Sequence, residues 1–295
     1  MHWNLYIYSY HCCRMVYSYK GNALGSLFGL STEFQKEYQN FEGKKGLINI
    51  LWNRNTDPVE ILKDGIPIML LPNQITTSTY LQKIEFTNSD VPLVGFSFNR
   101  EFYCIQDHDH EVSCNGIIFF GTQDPPIITL NEDETSKFNI LLEVFIDEFT
   151  TRDNIQGEML VMLLKRLIIK TTRLAKEQLI PSELKESQID IVRKFNVLVD
   201  THYKTKKQVS DYADLLFKSP KTLSNLFAKY NQKSPLHIIH ERIVLEAKRM
   251  LIYTEKTSKE IAYDLGFEEV GTFHKMFKKS TQQTPQHFKN ELKPN

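Results

Sequence analysis

The chain has 295 residues, room for two domains each with its own core, and its 36 Lys plus Arg balance 36 Asp plus Glu to a formal net charge of zero. Its four cysteines, Cys12, Cys13, Cys104 and Cys114, lack metal-site spacing and include an adjacent pair, which argues against a disulfide framework and fits a reducing cytoplasm. Tyr, Ser, His and Arg interrupt the aromatic-rich residues 1–30 too often for a signal-peptide core or a membrane span, so no targeting segment is expected.

Residues 1–35 read as an N-terminal arm of uncertain order. From about Gly46 to Leu130 come short β-rich runs: LINILW, IPIMLLP, ITTSTYL, KIEF, PLVGFSF, FYCI and GIIFFG. Turn residues such as Gly65, Pro72-Asn73, Asn99 and Asn115-Gly116 separate them, the pattern of an antiparallel sandwich or small barrel over residues 36–133. The large side chains of its later runs either fill the core or line a pocket for a small-molecule effector.

Helical periodicity follows. Phe138, Leu141, Leu142, Phe145, Ile146 and Phe149 recur at three- and four-residue steps, as do Met159, Leu160, Leu163, Leu164, Leu167 and Ile168. Of these two amphipathic helices, within 134–178, either both pack on the barrel or the second pairs with its copy in a homodimer. Residues 179–188 are polar, contain Pro181 and read as a linker. An all-helical domain over 189–295 begins with the apolar face Ile189, Val192, Phe195 and Val199. Charge divides at the same place: residues 1–180 hold 16 Lys plus Arg against 22 Asp plus Glu, whereas 181–295 hold 20 against 14. A local basic excess suits a module that approaches phosphates.

Two stretches of the basic domain repeat one another. Ala213 and Leu216 precede Thr222, Leu223, Leu226, Phe227 and Ser234-Pro235; Ala262 and Leu265 precede Thr272, Phe273, Met276, Phe277 and Thr284-Pro285. A register that survives a one-residue change in a turn indicates two copies of one helix-turn-helix unit. In the first, Ser219 caps a helix beginning at Pro220. Its outward edge holds Lys221, Thr222, Ser224, Asn225 and Lys229, chemistry that fits guanine acceptors, the adenine edge and phosphates in a major groove about 12 Å wide. The second presents Gly271, Thr272, His274, Lys275 and Lys278, follows a left-handed Gly266, and opens on Glu268 and Glu269, which repel phosphates. Between them SPLHIIHERIVLEAKRMLIY forms a rod of roughly 30 Å, close to the roughly 34 Å between successive major grooves.

These two units resemble the AraC/XylS family of bacterial transcription regulators. Ile261-Ala262, Leu265-Gly266-Phe267, Phe273, Phe277-Lys278-Lys279 and Thr284-Pro285 fall where the family pattern puts them. Gln282 stands where a glycine is usual, and Lys289 where an arginine often follows. The resemblance implies an α+β protein of two domains, an N-terminal cupin-like β-barrel or sandwich followed by helices and a C-terminal all-α dual helix-turn-helix domain. It implies a cytoplasmic activator, not an enzyme, that needs no cofactor and has double-stranded promoter DNA and RNA polymerase as partners. The rival reading, a metal-dependent cupin enzyme with a helical assembly domain, rests on Asp107-His108-Asp109-His110-Glu111. An H-x-H on a strand aims both imidazoles at one face. No histidine lies between His110 and His202, so a polar loop is the expectation there.

Overall fold

The computed structural model describes residues 16–21, 25–37, 46–80, 82–87, 91–105, 107–109, 114, 116–119, 126–230 and 233–291. Its N-terminal region contains nine strands among the described residues: β1 (Val16–Lys20), β2 (Leu27–Ser31), β3 (Ile48–Asn53), β4 (Val59–Lys63), β5 (Ile66–Leu70), β6 (Gln74–Ser78), β7 (Ile84–Phe86), β8 (Val94–Phe98) and β9 (Ile128–Thr129). They form a six-stranded sheet in the order β1-β2-β8-β3-β6-β9 and a three-stranded sheet in the order β5-β4-β7, with antiparallel pairing throughout.

Because successive side chains point to opposite faces, the larger sheet sorts its residues into two layers. Phe28, Leu30, Ile50, Trp52, Phe96 and Phe98 belong to the main core, which they share with helices α1 (Glu132–Thr150) and α2 (Gln156–Leu179). Phe145 meets the rings of Phe28 at 5.7 Å and Phe96 at 5.0 Å between centroids. On the opposite face Leu51 joins Phe34, Val59, Ile61, Ile68, Leu70, Ile84 and Leu93 in a smaller core against the second sheet. Gly95 lies there under Phe34, whose ring would be 2.1 Å from any added Cβ. A buried polar row crosses the same face: Ser97 Oγ donates to Asn49 Oδ1 (2.6 Å), and Asn49 Nδ2 donates to Ser78 Oγ (3.1 Å). Polar atoms that leave water this way require such partners.

The expected helices are present at α1 and α2, and Phe138, Leu141, Leu142, Leu160, Leu164, Leu167 and Ile168 are buried as their periodicity requires. Four other expectations need correction. The β-rich region begins before residue 36, because β1 and β2 pair with each other and β2 with β8; residues 1–15 lie outside the described set. FYCI and the described residues 116–119 of GIIFFG are not strands. Phe102 and Tyr103 donate their N–H groups to Asn99 O, and Ile117 and Ile118 donate theirs to Cys114 O, closing local turns. Tyr103, Ile105, Ile117, Ile118 and Phe119 are buried all the same, and a short apolar run does not distinguish a strand from an irregular plug. The strand β4 passed unrecognised because Glu60 and Lys63 break its apolar run. The polar segment after α2 is no free linker, since Ile180 and Leu184 are buried in the main core.

The C-terminal region is helical: α3 (Glu186–His202), α4 (Val209–Leu215), α5 (Pro220–Tyr230), α6 (Pro235–Tyr253), α7 (Ser258–Asp264), α8 (Val270–Thr281) and α9 (Pro285–Glu291). One continuous hydrophobic cluster runs from the six-stranded sheet through α1, α2 and α3 into α8.

Candidate nucleic-acid interface

The chain builds one local device twice. At α4 the carboxylate of Asp211 accepts the backbone N–H groups of Gln208 (3.0 Å) and Lys207 (3.2 Å). At α7 Glu260 accepts the N–H of Thr257 (2.8 Å) and Thr257 Oγ1 accepts that of Glu260 (3.2 Å), so amides that a helix start leaves without partners are satisfied in both. Ala213 and Ala262 are fully buried. The turns then close through the same bond: Lys218 N–H to Ala213 O at 2.9 Å in the first pair, Phe267 N–H to Ala262 O at 3.0 Å in the second. Each needs a left-handed residue just before, supplied by Phe217 (φ 53°) and Gly266 (φ 75°). The first turn holds four residues between its helices and the second five, which accounts for the shift in register.

The second helix of each pair buries one stripe and exposes the other. In α5, Leu223, Leu226 and Phe227 are buried, Ser219 Oγ accepts the Thr222 N–H (3.0 Å), and Lys221, Thr222, Ser224, Asn225 and Lys229 are exposed. In α8, Phe273 and Phe277 are buried and Gly271, Thr272, Lys275 and Lys278 are exposed. Two of the outward hydroxyls already have local bonds: Thr222 Oγ1 lies 2.8 Å from Ser219 Oγ, and Ser224 Oγ donates to Pro220 O at 3.0 Å. His274 is half-buried, its Nε2 3.3 Å from Ser258 Oγ on α7. Lys221, Asn225, Lys229, Lys275 and Lys278 make no side-chain hydrogen bond or ion pair among the described residues.

The rod between the pairs is as expected. Ser234 Oγ accepts the His237 N–H (3.2 Å) at the start of α6, and Ile239, Ile243, Ala247 and Leu251 face the core. Nineteen residues give a length of about 28 Å. Gln282, in place of the usual glycine, adopts φ 64° to end α8, and Lys289 donates its ammonium to Lys256 O (2.9 Å) and Thr254 O (3.3 Å).

Buried charge that the sequence did not reveal lies along α6. Arg242 donates to Asp200 (2.6 Å) and Glu246 (3.0 Å) and stacks 4.0 Å from the Tyr203 ring centroid. One and two turns on, Glu246 meets Arg249 (3.4 Å), whose Nε donates to Asp64 Oδ1 (2.7 Å) at the β4–β5 hairpin. The neighbouring Lys63 is buried; burial lowers its pKa to about 7, Asp64 offsets part of that, and Arg249 adds to it. Residues 107–109 form no strand. His108 Nδ1 lies 2.9 Å from Cys104 O, its ring stacks on Tyr103, and Asp109 pairs with Arg193 at 3.0 Å. His110 and Glu111 lie outside the described residues.

Residues 212–291, which span both helix pairs, match the family described as a helix-turn-helix domain. This stretch is a helix-turn-helix domain. The chain is 27% identical over 97 residues to the regulatory protein PocR of Salmonella typhimurium, covering 33% of this chain and 32% of PocR. It is 30% identical over 94 residues to the uncharacterized HTH-type transcriptional regulator YobQ of Bacillus subtilis, covering 32% of this chain and 39% of YobQ. The chain thus spans about a third of the length of the curated relatives it matches. Among solved structures, ToxT from Vibrio cholerae is 15% identical over 84% of this chain and 91% of that one, with a TM-score of 0.39. The C-terminal domain of the response regulator yesN from Fusobacterium nucleatum is 28% identical over 32% of this chain and 93% of that one, with a TM-score of 0.31. Both curated relatives carry the names of regulators.

Proposed function

We propose that this protein is a sequence-specific regulator of transcription that lays α5 and α8 in adjacent major grooves of promoter DNA. The carrying observation is the duplicated helix pair, with an exposed edge of Lys, Ser and Asn on one copy and of Lys and Thr on the other, joined by a rod of about 28 Å. That length is close to the roughly 34 Å groove repeat. Residues 189–295 are the DNA-reading domain. The β-rich region ending near residue 133 is a cupin-like regulatory module that senses an effector, and α1 and α2 serve dimerisation. Ile140, Val144, Met159 and Met162, exposed on those helices, support the last assignment. The family resemblance adds activation through RNA polymerase and a cytoplasmic location. Among the described residues no helix is long and apolar enough to cross a membrane.

Titrating the full chain against its selected DNA at several salt concentrations tests the reading. We expect log affinity to fall linearly with log salt, with preference over random duplex of about a thousandfold or more. A flat salt response or the absence of preference overturns it.

A further inference from the structure

Lys207 lies in the loop between α3 and α4, ahead of the first helix pair, yet its side chain ends at the second. Its backbone N–H donates to Asp211, which caps α4 (3.2 Å). Its ammonium donates to Gly266 O in the turn of the second pair (2.7 Å) and to Lys204 O in its own loop (2.7 Å), and it lies 4.9 Å from the centroid of the Phe267 ring. The approach is close from both sides: a Cβ at residue 266 would come 1.9 Å from Lys204 O and 3.0 Å from Lys207 Nζ. Desolvation lowers the pKa of this ammonium, with Asp211 and Glu268 opposing the shift, as expected of a cation partly withdrawn from water.

The second pair packs on α6 within one hydrophobic core, and residues 254–257 are the covalent connector between them. A polar attachment away from α6 fixes the angle between the two pairs more tightly than that packing alone. The Lys207 ammonium forms such an attachment, holding one carbonyl from each side with charge-assisted bonds.

We infer that Lys207 is a positioning residue that fixes the separation and rotation of α8 relative to α5, and thereby the spacing between the two DNA boxes the chain accepts. This rests on the reading that both pairs enter DNA. Selection of bound duplexes from a random library with the full-length wild-type chain supplies the probe. A two-box sequence recovered this way is then remade with one base pair added or removed between the boxes, which changes the separation by about 3.4 Å and the rotation by about 34°. The wild-type chain loses about tenfold or more in affinity at each step. Lys207→Met loses less than about threefold at the same steps, while scrambling either box still weakens it by about tenfold or more. Lys207→Arg, which keeps donors for both carbonyls, restores the narrow spacing preference.

A Lys207→Met protein that keeps the wild-type spacing optimum overturns the inference. So does one that becomes indifferent to the second box, because Lys207 would then be needed for α8 to read at all rather than for where it reads. If the wild-type chain enriches no two-box sequence, the functional reading itself fails and takes this inference with it.

Discussion

The two helix pairs share a backbone but not an environment. Both close their turns with the same N–H to alanine carbonyl bond, and both need a left-handed residue there. In the second pair that residue is pressed against Lys204 O and only glycine fits. In the first the same position is Phe217, 92% exposed. Its side chain meets no steric limit, and the turn bears only the intrinsic strain of a left-handed non-glycine, about 1–2 kcal/mol. The duplication therefore fixes hydrogen bonds, while packing decides which residue each copy tolerates.

Breaking the second turn should have the largest effect. Gly266→Ala adds a Cβ where a carbonyl already stands and removes the freedom that φ 75° requires. We expect a loss of about 3 kcal/mol or more in chemical denaturation; a change below about 1 kcal/mol would show that the two loops separate easily. DNA binding should respond less. Asn225→Ala and Lys275→Ala should each weaken the selected sequence by about 1–3 kcal/mol and relax preference at one position, measured by competition with base-substituted duplexes. The larger loss is expected for Asn225, because α8 follows Glu268 and Glu269, which repel phosphates. Equal losses would erase the functional distinction between the pairs. Phe217→Gly should have the smallest effect, a gain of up to about 1 kcal/mol in stability, since strain is relieved while the unfolded chain becomes more flexible. A loss there would mean that Phe217 has a packing role.

Much of the C-terminal helical region was legible because its signals are local. Ser219, Ser234 and Gly266 act within a few residues of themselves, and the apolar stripes of α5, α6 and α8 follow from helical period alone. The left-handed turn at Phe217 was not legible, since no glycine marks it. Nor was Lys207, whose partner is 59 residues away. In the N-terminal region, apolar run length mistook the buried turns at 101–105 and 116–119 for strands, and alternation with charged residues concealed β4. Asp109, read as part of a polar loop, gains meaning only from Arg193, 84 residues away.

Asp64 joins the two halves through a single atom. Its Oδ1 accepts the Lys83 N–H (2.9 Å), tying the β4–β5 hairpin to the segment entering β7, and also accepts Arg249 Nε (2.7 Å) on α6. The carboxylate oxygen is a fulcrum shared by a sheet and a rod. A tilt of that corner of the smaller sheet acts directly on the helix that joins the two helix pairs, with no slack segment between to absorb it.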